Sequence, residues 1–185
     1  MRKLVVAQFI SLDGVVEAPD QWHFPYVNEE MFAVMGTNSA AADTLLLGRV
    51  TYETFAAAFA DAPADAPGAA MMNRPAKVVV SRTLTDLTWH NSTLLKADPT
   101  PGGLIAAVRR LKEQPGGDIL APGSVTLARA RLRAGLVDEL SLLVHPIVVG
   151  HGQRLFEQDG PTIPLTLASS ATFTTGVLHQ TYHPA

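Results

Sequence analysis

Cysteine is absent from the 185 residues, which excludes disulfides, thiolate nucleophiles and cysteine-built zinc sites and leaves the redox compartment open. No apolar run approaches the roughly 20 residues of a membrane-spanning helix. No cluster of Lys or Arg accompanies the net charge of −3, so neither a membrane nor nucleic acid is an expected partner. The Gly-x-Gly-x-x-Gly fingerprint of Rossmann domains is missing, and so are internal repeats and long low-complexity tracts. Met1-Arg2-Lys3 ahead of the apolar run Leu4 to Ile10 has the outline of a leader peptide. Gln8 and Ser11-Leu12-Asp13 break that run within one strand's length, so it reads as the first strand. With 47% apolar residues, a chain of this length buries a core without covalent staples, and 1–185 reads as one domain, cytoplasmic by default.

What the chain does contain is a repeated device. Asp43-Thr-Leu-Leu-Leu-Gly-Arg-Val-Thr-Tyr-Glu-Thr-Phe55 is an apolar strand that runs into Gly48-Arg49 and then directly into a helix. A strand that ends in glycine and opens a helix leaves backbone N–H groups free, and an arginine there adds a fixed positive charge. The device recurs at Gly117-Asp-Ile-Leu-Ala-Pro-Gly-Ser-Val-Thr-Leu-Ala128, where a strand breaks at Gly123 and a helix starts at Ser124 or Val125. Two such turns in one small domain point to a ligand with more than one phosphate.

Strand-like runs alternate with helical patterns along most of the length, which predicts a layered α/β fold. Strands are expected over 3–10, 44–47, 76–81, 93–95, 118–120 and 139–146. Helices are expected from Asn28-Glu29-Glu30 through Met35 and over 51–59, 104–113 and 125–134, the last stopped by Gly135. Leu165 to Phe173 and Val177 to Tyr182, joined by Thr174-Thr175-Gly176, read as an antiparallel hairpin closing a mostly parallel sheet. Ala60 to Gly68 reads as a mobile Pro/Ala loop.

These pieces, in this order, resemble the dihydrofolate reductase-like superfamily. The nearer likeness is to the branch of the C-terminal reductase domain of the riboflavin-biosynthesis deaminase-reductase and its small stand-alone relatives. The matching segments are Ser11-Leu-Asp-Gly14, Leu47-Gly-Arg-Val-Thr-Tyr-Glu53, Lys77-Val-Val-Val-Ser-Arg82, Gly123-Ser-Val-Thr126, Gly135-Leu-Val-Asp-Glu-Leu140 and Pro146-Ile-Val-Val-Gly-His-Gly-Gln-Arg-Leu-Phe156. The resemblance implies a three-layer αβα sandwich, a homodimer, and NADPH lying across the C-terminal edge of the sheet. A long apolar strand such as Leu140 to Val149 near a sheet edge would also call for cover by a second copy.

Under that likeness the residues acquire expected roles. Arg49 with Ser81 and Arg82, at the ends of two neighbouring strands, would hold the 2′-phosphate. Gly48, Thr51 and the Gly123, Ser124, Val125, Thr126 turn would hold the pyrophosphate on helix N-termini. The nicotinamide would lie near Phe9 and Val16, against Val148-Val149-Gly150. A small-molecule substrate would enter along Glu17 to Phe24, with Trp22 or Phe24 stacking on a planar ring and Asp13 or His23 orienting or protonating it.

Plainer readings stand beside these. Arg49 has Glu53 at i,i+4 as a partner; Ser124 has the right chemistry for an ordinary N-cap; Asp13-Gly14 suits a simple turn; and Trp22 and Phe24 suit a hydrophobic staple. His145 and His151 lack a third metal ligand in sequence, so no metal is expected. His179 and His183 share one strand face toward solvent. Authentic dihydrofolate reductases carry an acidic residue on the helix after the first strand that bonds the pterin. Here Glu29 and Glu30 sit at the start of that helix, and Phe32, Ala33 and Met35 follow. The expected activity is therefore NADPH-dependent reduction of a small heterocyclic or carbonyl substrate. The alternatives are an NADP-binding module without efficient turnover, or a 5-amino-6-(5-phosphoribosylamino)uracil reductase with Arg154 as a substrate-phosphate contact.

Overall fold

The computed structural model describes residues 1–95 and 100–185. β1 (Leu4–Ser11) leads through two short 3-10 turns to α1 (Glu29–Ala41), β2 (Ala42–Gly48), α2 (Arg49–Phe59), α3 (Ala69–Asn73), β3 (Ala76–Val80) and β4 (Ser92–Leu94). Then come α4 (Pro101–Glu113), β5 (Asp118–Pro122), α5 (Val125–Arg133), β6 (Glu139–His145), β7 (Leu165–Thr172) and β8 (Leu178–Pro184). One eight-stranded sheet runs in the order β4-β3-β2-β5-β1-β6-β8-β7. Its first six strands are parallel, and β8 and β7 are antiparallel. This is the α/β fold read from the sequence.

Alternation along each strand divides the core into two layers. Leu4, Val6, Leu46, Ile119 and Ala121 pack with Val108 and Leu111 of α4 and Ala128 and Leu132 of α5. Val5, Leu45, Leu47 and Leu120 meet Tyr52 of α2 on the opposite face, where Met31 of α1 packs on Leu143 and Phe173. The chain moves one way along the sheet from β1 through β2 to β4, then back to β5 and on to β6. Right-handed crossovers therefore put α1, α2 and α3 on one face and α4 and α5 on the other. Adjacent strands β2 and β5 consequently send their helices to opposite faces, which opens a crevice at their C-terminal ends.

The opposite edge of the sheet is closed by charge. Arg2, 8% exposed, donates to the Gly117 carbonyl at 2.6 Å and the Thr44 hydroxyl at 2.7 Å and pairs with Asp43. Lys112, 6% exposed, reaches the Leu136 carbonyl and Asp138, and Asp138 also accepts the Leu4 N–H at 2.7 Å.

Several expectations need correction. The stretch Leu140 to Val149 is not at a sheet edge: β6 ends at His145 and lies between β1 and β8, while the edge strands are the short β4 and the exposed β7. Residues 60–68 are a loop, as expected, built of chained turns, with Ala62 donating to Phe59 and Ala66 to Pro63. They lead into α3, an alanine-rich turn with too little apolar periodicity to show in sequence. α1 continues to Ala41. His179 does not simply face solvent, because its Nε2 lies 3.1 Å from the Ser141 hydroxyl.

Lys77 of β3 is fully buried, donates to the Asn73 carbonyl at 2.8 Å and sits over the Trp89 ring. Burial pushes its ammonium down to about 8 from 10.5. Between those values the unfolded chain keeps a proton that the folded chain has released, so stability gains with rising pH. Urea midpoints measured across about pH 7.5–10 should therefore rise in wild type relative to Lys77→Met; parallel curves would remove this role for Lys77.

Candidate functional site

The two glycine turns meet in the crevice between β2 and β5. A Cβ on Gly48 would fall 2.3 Å from Ser124 Oγ and 3.3 Å from Leu127. One on Gly123, whose φ is +65°, would meet Thr51 at 3.2 Å. Side chains at either position would fill the gap between the starts of α2 and α5. Gln8, 4% exposed, fixes the second turn by donating to the Gly123 carbonyl at 2.7 Å.

The two helix starts also differ from those of α1 and α4 in their capping, and the short α3 starts uncapped at Gly68 as well. α1 is capped by the Asn28 side chain and α4 by Thr100. α2 begins at bare Gly48, and Ser124, held at φ 58°, makes no side-chain cap bond to α5. First-turn N–H groups of both helices therefore face the crevice without a side-chain acceptor, the electrostatic setting that favours an anion. Thr51 and Val125 are half-buried there, and Thr126 is exposed.

Gly48 pairs with Val80 in register, which sets Arg49 beside Ser81 and Arg82. Arg49 donates to Glu53 at 2.8 Å, both side chains about half exposed. The Ser81 hydroxyl accepts from Thr83 and Leu84 N–H at 3.1 and 2.9 Å, which leaves its own proton to donate. Arg82 is exposed.

At the end of β1 the chain is zipped to the segment after β6. Val15 bridges Arg154, Leu155 N–H donates to Gly14, and Val16 N–H to Gln153. Asp13 is the knot. Its carboxylate accepts from the Ser11 hydroxyl at 2.7 Å, Val149 N–H at 3.0 Å, Gly150 N–H at 2.9 Å and Arg154 at 3.4 Å. The Ser11 hydroxyl bond first, then the backbone N–H groups of Val149 and Gly150, hold its carboxyl well below the usual carboxylate range. Arg154 is further tied to the Asp13 carbonyl at 2.9 Å.

Above this strap lies an aromatic and histidine cluster. Phe9 stacks on His23 at 4.7 Å, and His23 meets Phe24 at 4.4 Å. Phe9, Trp22 and Tyr26 each meet the fully buried His145 edge to face at 5.2–5.7 Å. Burial lowers the affinity of both histidines for a proton. Trp22 is 8% exposed, anchored through Nε1 to the Glu17 carbonyl at 3.1 Å, while Phe24 is 65% exposed. Val16 lies in the core at 5% exposure, packed in the layer of α4 and α5, whereas Phe9 packs in the layer of α1, so the two residues expected to flank one ring lie in different layers. Among the described residues no group of three metal-ligating side chains occurs.

Beside the cluster opens a cleft of about 220 Å³ lined by Glu17, Ala18, Gln21, Trp22, Val149, His151 and Gly152. Glu17 accepts the Gln153 N–H at 2.7 Å. The sequence reading brought Trp22 to this place and left Glu17, Gln21 and His151 without roles, because only the strap between 14–17 and 152–155 juxtaposes them. The glutamates of α1 are elsewhere: Glu29 is exposed, and Glu30 accepts from Thr174 and Asn28 at the hairpin turn.

Comparison with known proteins agrees with this architecture. The chain is 26% identical to the uncharacterized protein YyaP of Bacillus subtilis, over 98% of this chain and 95% of that protein. Its fold matches a putative riboflavin biosynthesis protein from Shewanella sp. PV-4 with a TM-score of 0.76, at 20% identity over 99% of both chains. It also matches a dihydrofolate reductase from Enterococcus faecalis complexed with NADP(H), with a TM-score of 0.64 at 14% identity over 98% of this chain and 96% of that one. No helix among the described residues is long and apolar enough to cross a membrane. Residues 2–179 match the family model of the RibD C-terminal domain, and the chain belongs to that family.

Proposed function

We propose that the chain is a reductase that takes NADPH and reduces a small heterocyclic or carbonyl compound, of the pterin or pyrimidine kind. The observation that carries this reading is the pair of uncapped helix starts that converge through Gly48 and Gly123. Two neighbouring anion cradles fit the two phosphates of a dinucleotide, with Gly48 and Thr51 on one and Gly123, Ser124, Val125 and Thr126 on the other. Arg49, the Ser81 hydroxyl and Arg82 fit the 2′-phosphate. Family membership and the likeness to reductases support the same reading.

Bound NADPH supplies the hydride; the chain binds, orients and excludes water. The end of β1 and the segment after β6, with Phe9 and Val149, supply an apolar wall for the nicotinamide. Asp13 acts by position: engaged with Ser11, Val149, Gly150 and Arg154, it holds that wall in register and keeps no proton to give. His23, stacked on Phe9 and held toward its neutral form by burial, extends that wall.

Thermal melts with NADPH, NADH and NADP+ should show a larger shift with NADPH than with NADH, and Arg49→Ala should remove most of the difference. Equal shifts for NADPH and NADH would refute the 2′-phosphate assignment. Asp13→Asn should lower the urea midpoint at neutral pH. Because the folded carboxyl is the stronger acid, the gap is complete above the unfolded value of about 3.9 and closes as pH falls below it; a gap unchanged by acid would contradict the role.

A second reading is an NADP-binding module without efficient turnover. It is favoured by the engagement of Asp13 in the strap and of Glu30 at the hairpin turn, which takes both carboxylates from proton transfer. Cofactor binding without oxidation across pterins, pyrimidines and carbonyls would establish it. A cytoplasmic homodimer completes the proposal. β7 is an eight-residue uncharged edge strand, exposed along nearly its whole length, with Leu167 52% exposed, and such an edge calls for pairing. Sedimentation should give twice the chain mass, and Leu167→Lys should shift it toward monomer; a wild-type monomer rules the dimer out.

A further inference from the structure

We propose that the cleft beside Trp22 selects an unphosphorylated ring that bears N–H donors, and that Glu17 determines this choice. The inference rests on the reductase reading and names the substrate class of that site. The lining supplies one carboxylate, Glu17, the Gln21 amide, the His151 imidazole and the Trp22 ring, with neither Lys nor Arg. A phosphate monoester needs fixed cations or a nest of free N–H groups.

Of the N–H groups next to the cleft, those of Val149 and Gly150 donate to Asp13 and that of Gln153 to Glu17; those of His151 and Gly152 are left, and a Cβ on Gly152 would lie 3.1 Å from Glu17 Oε2, so they sit beside a carboxylate that opposes an anion. The adjacent cation is engaged as well, since Arg154 is bound to both the carbonyl and the carboxylate of Asp13. Glu17 would repel a phosphate, and such a repulsive group discriminates as effectively as an attractive one. Toward an aminopyrimidine or pterin its effect reverses. Glu17 Oε2 receives the Gln153 N–H, which leaves Oε1 to accept ring or exocyclic N–H donors, with Gln21 able to donate or accept beside it. The volume points the same way. About 220 Å³ lies below the roughly 300–1,000 Å³ usual for a drug-sized ligand, room for one or two rings, with any substituent reaching out past Glu17.

The test is calorimetric titration of the full chain with 5-amino-6-ribitylaminouracil and with its 5′-phosphate, a pair differing only in the phosphate. The unphosphorylated member should bind at least about tenfold more tightly. Glu17→Gln keeps an acceptor for the Gln153 N–H but loses the charge, so it should weaken that binding about tenfold and narrow the preference. Equal or tighter binding of the phosphate, unchanged affinity in Glu17→Gln, or no binding of either compound overturns the proposal. The NADPH melt on the same protein separates the two levels. A shift with NADPH alongside any of those results removes only the cleft assignment, whereas no shift removes the reductase reading and this inference with it.

Discussion

Gly48 and Gly123 let two helices begin against each other from adjacent parallel strands, and most of what the fold offers a ligand depends on that contact. Neither glycine is there for flexibility. Gly48 has an ordinary extended φ of −81° and is required by space alone, because Ser124 Oγ occupies the volume of a would-be Cβ. Gly123 is required by both space and backbone, at φ +65° with Thr51 close by. The sheet topology makes the contact, since the reversal of chain direction between β2 and β5 sends α2 and α5 to opposite faces. With their N-termini converging, the helix dipoles reinforce each other at one point of the C-terminal edge.

The distribution of charge over the two sheet edges follows the same division. At the N-terminal edge Arg2, Lys112, Asp43 and Asp138 are consumed in ion pairs and backbone bonds that tie strand beginnings to helix ends. Breaking such a contact leaves a buried charge unpaired, so those residues are committed to stability. At the C-terminal edge α1 and α4 are capped by their own side chains while α2 and α5 are not. The acceptors missing there are the ones a bound anion would provide. Segments 14–17 and 152–155, strapped together, are further held from α5 by Arg129, which donates to the Leu155 carbonyl at 3.2 Å.

The alternating apolar runs made the parallel core legible in sequence, and the Gly48-Arg49 and Gly123-Ser124 turns marked where its helices begin. Those are local signals: period-two burial for strands, and glycine at a strand-to-helix junction. The strap was not legible. Ser11-Leu-Asp-Gly14 has the composition of a turn, and nothing in it announces that Asp13 will accept N–H groups 136 and 137 residues away. Glu17 was legible only as one end of the substrate-entry segment and His151 only as a histidine without further metal ligands, since each becomes part of a cleft only through pairing between distant segments. Leu140 to Val149 misled in the opposite direction: its apolar character reflects burial between β1 and β8 rather than an uncovered edge.

Backbone strain singles out the same two regions by an independent route. Among the described residues three non-glycine positions have positive φ: Ala18, Asn91 and Ser124. Asparagine tolerates this conformation and its presence in a turn needs no further cause. Alanine and serine gain less from it, and each is held there by its surroundings. Ala18 is fixed between the Trp22 Nε1 bond to Glu17 and the 3-10 turn that starts at Pro19. Ser124 is fixed between Gly48 and the first turn of α5. One strained residue lines the cleft and the other the anion cradle, so the backbone bears unfavourable conformation where ligand would be held. In a sequence otherwise consistent from local pattern to core packing, those two positions fall at the proposed substrate cleft and at the proposed cofactor turn.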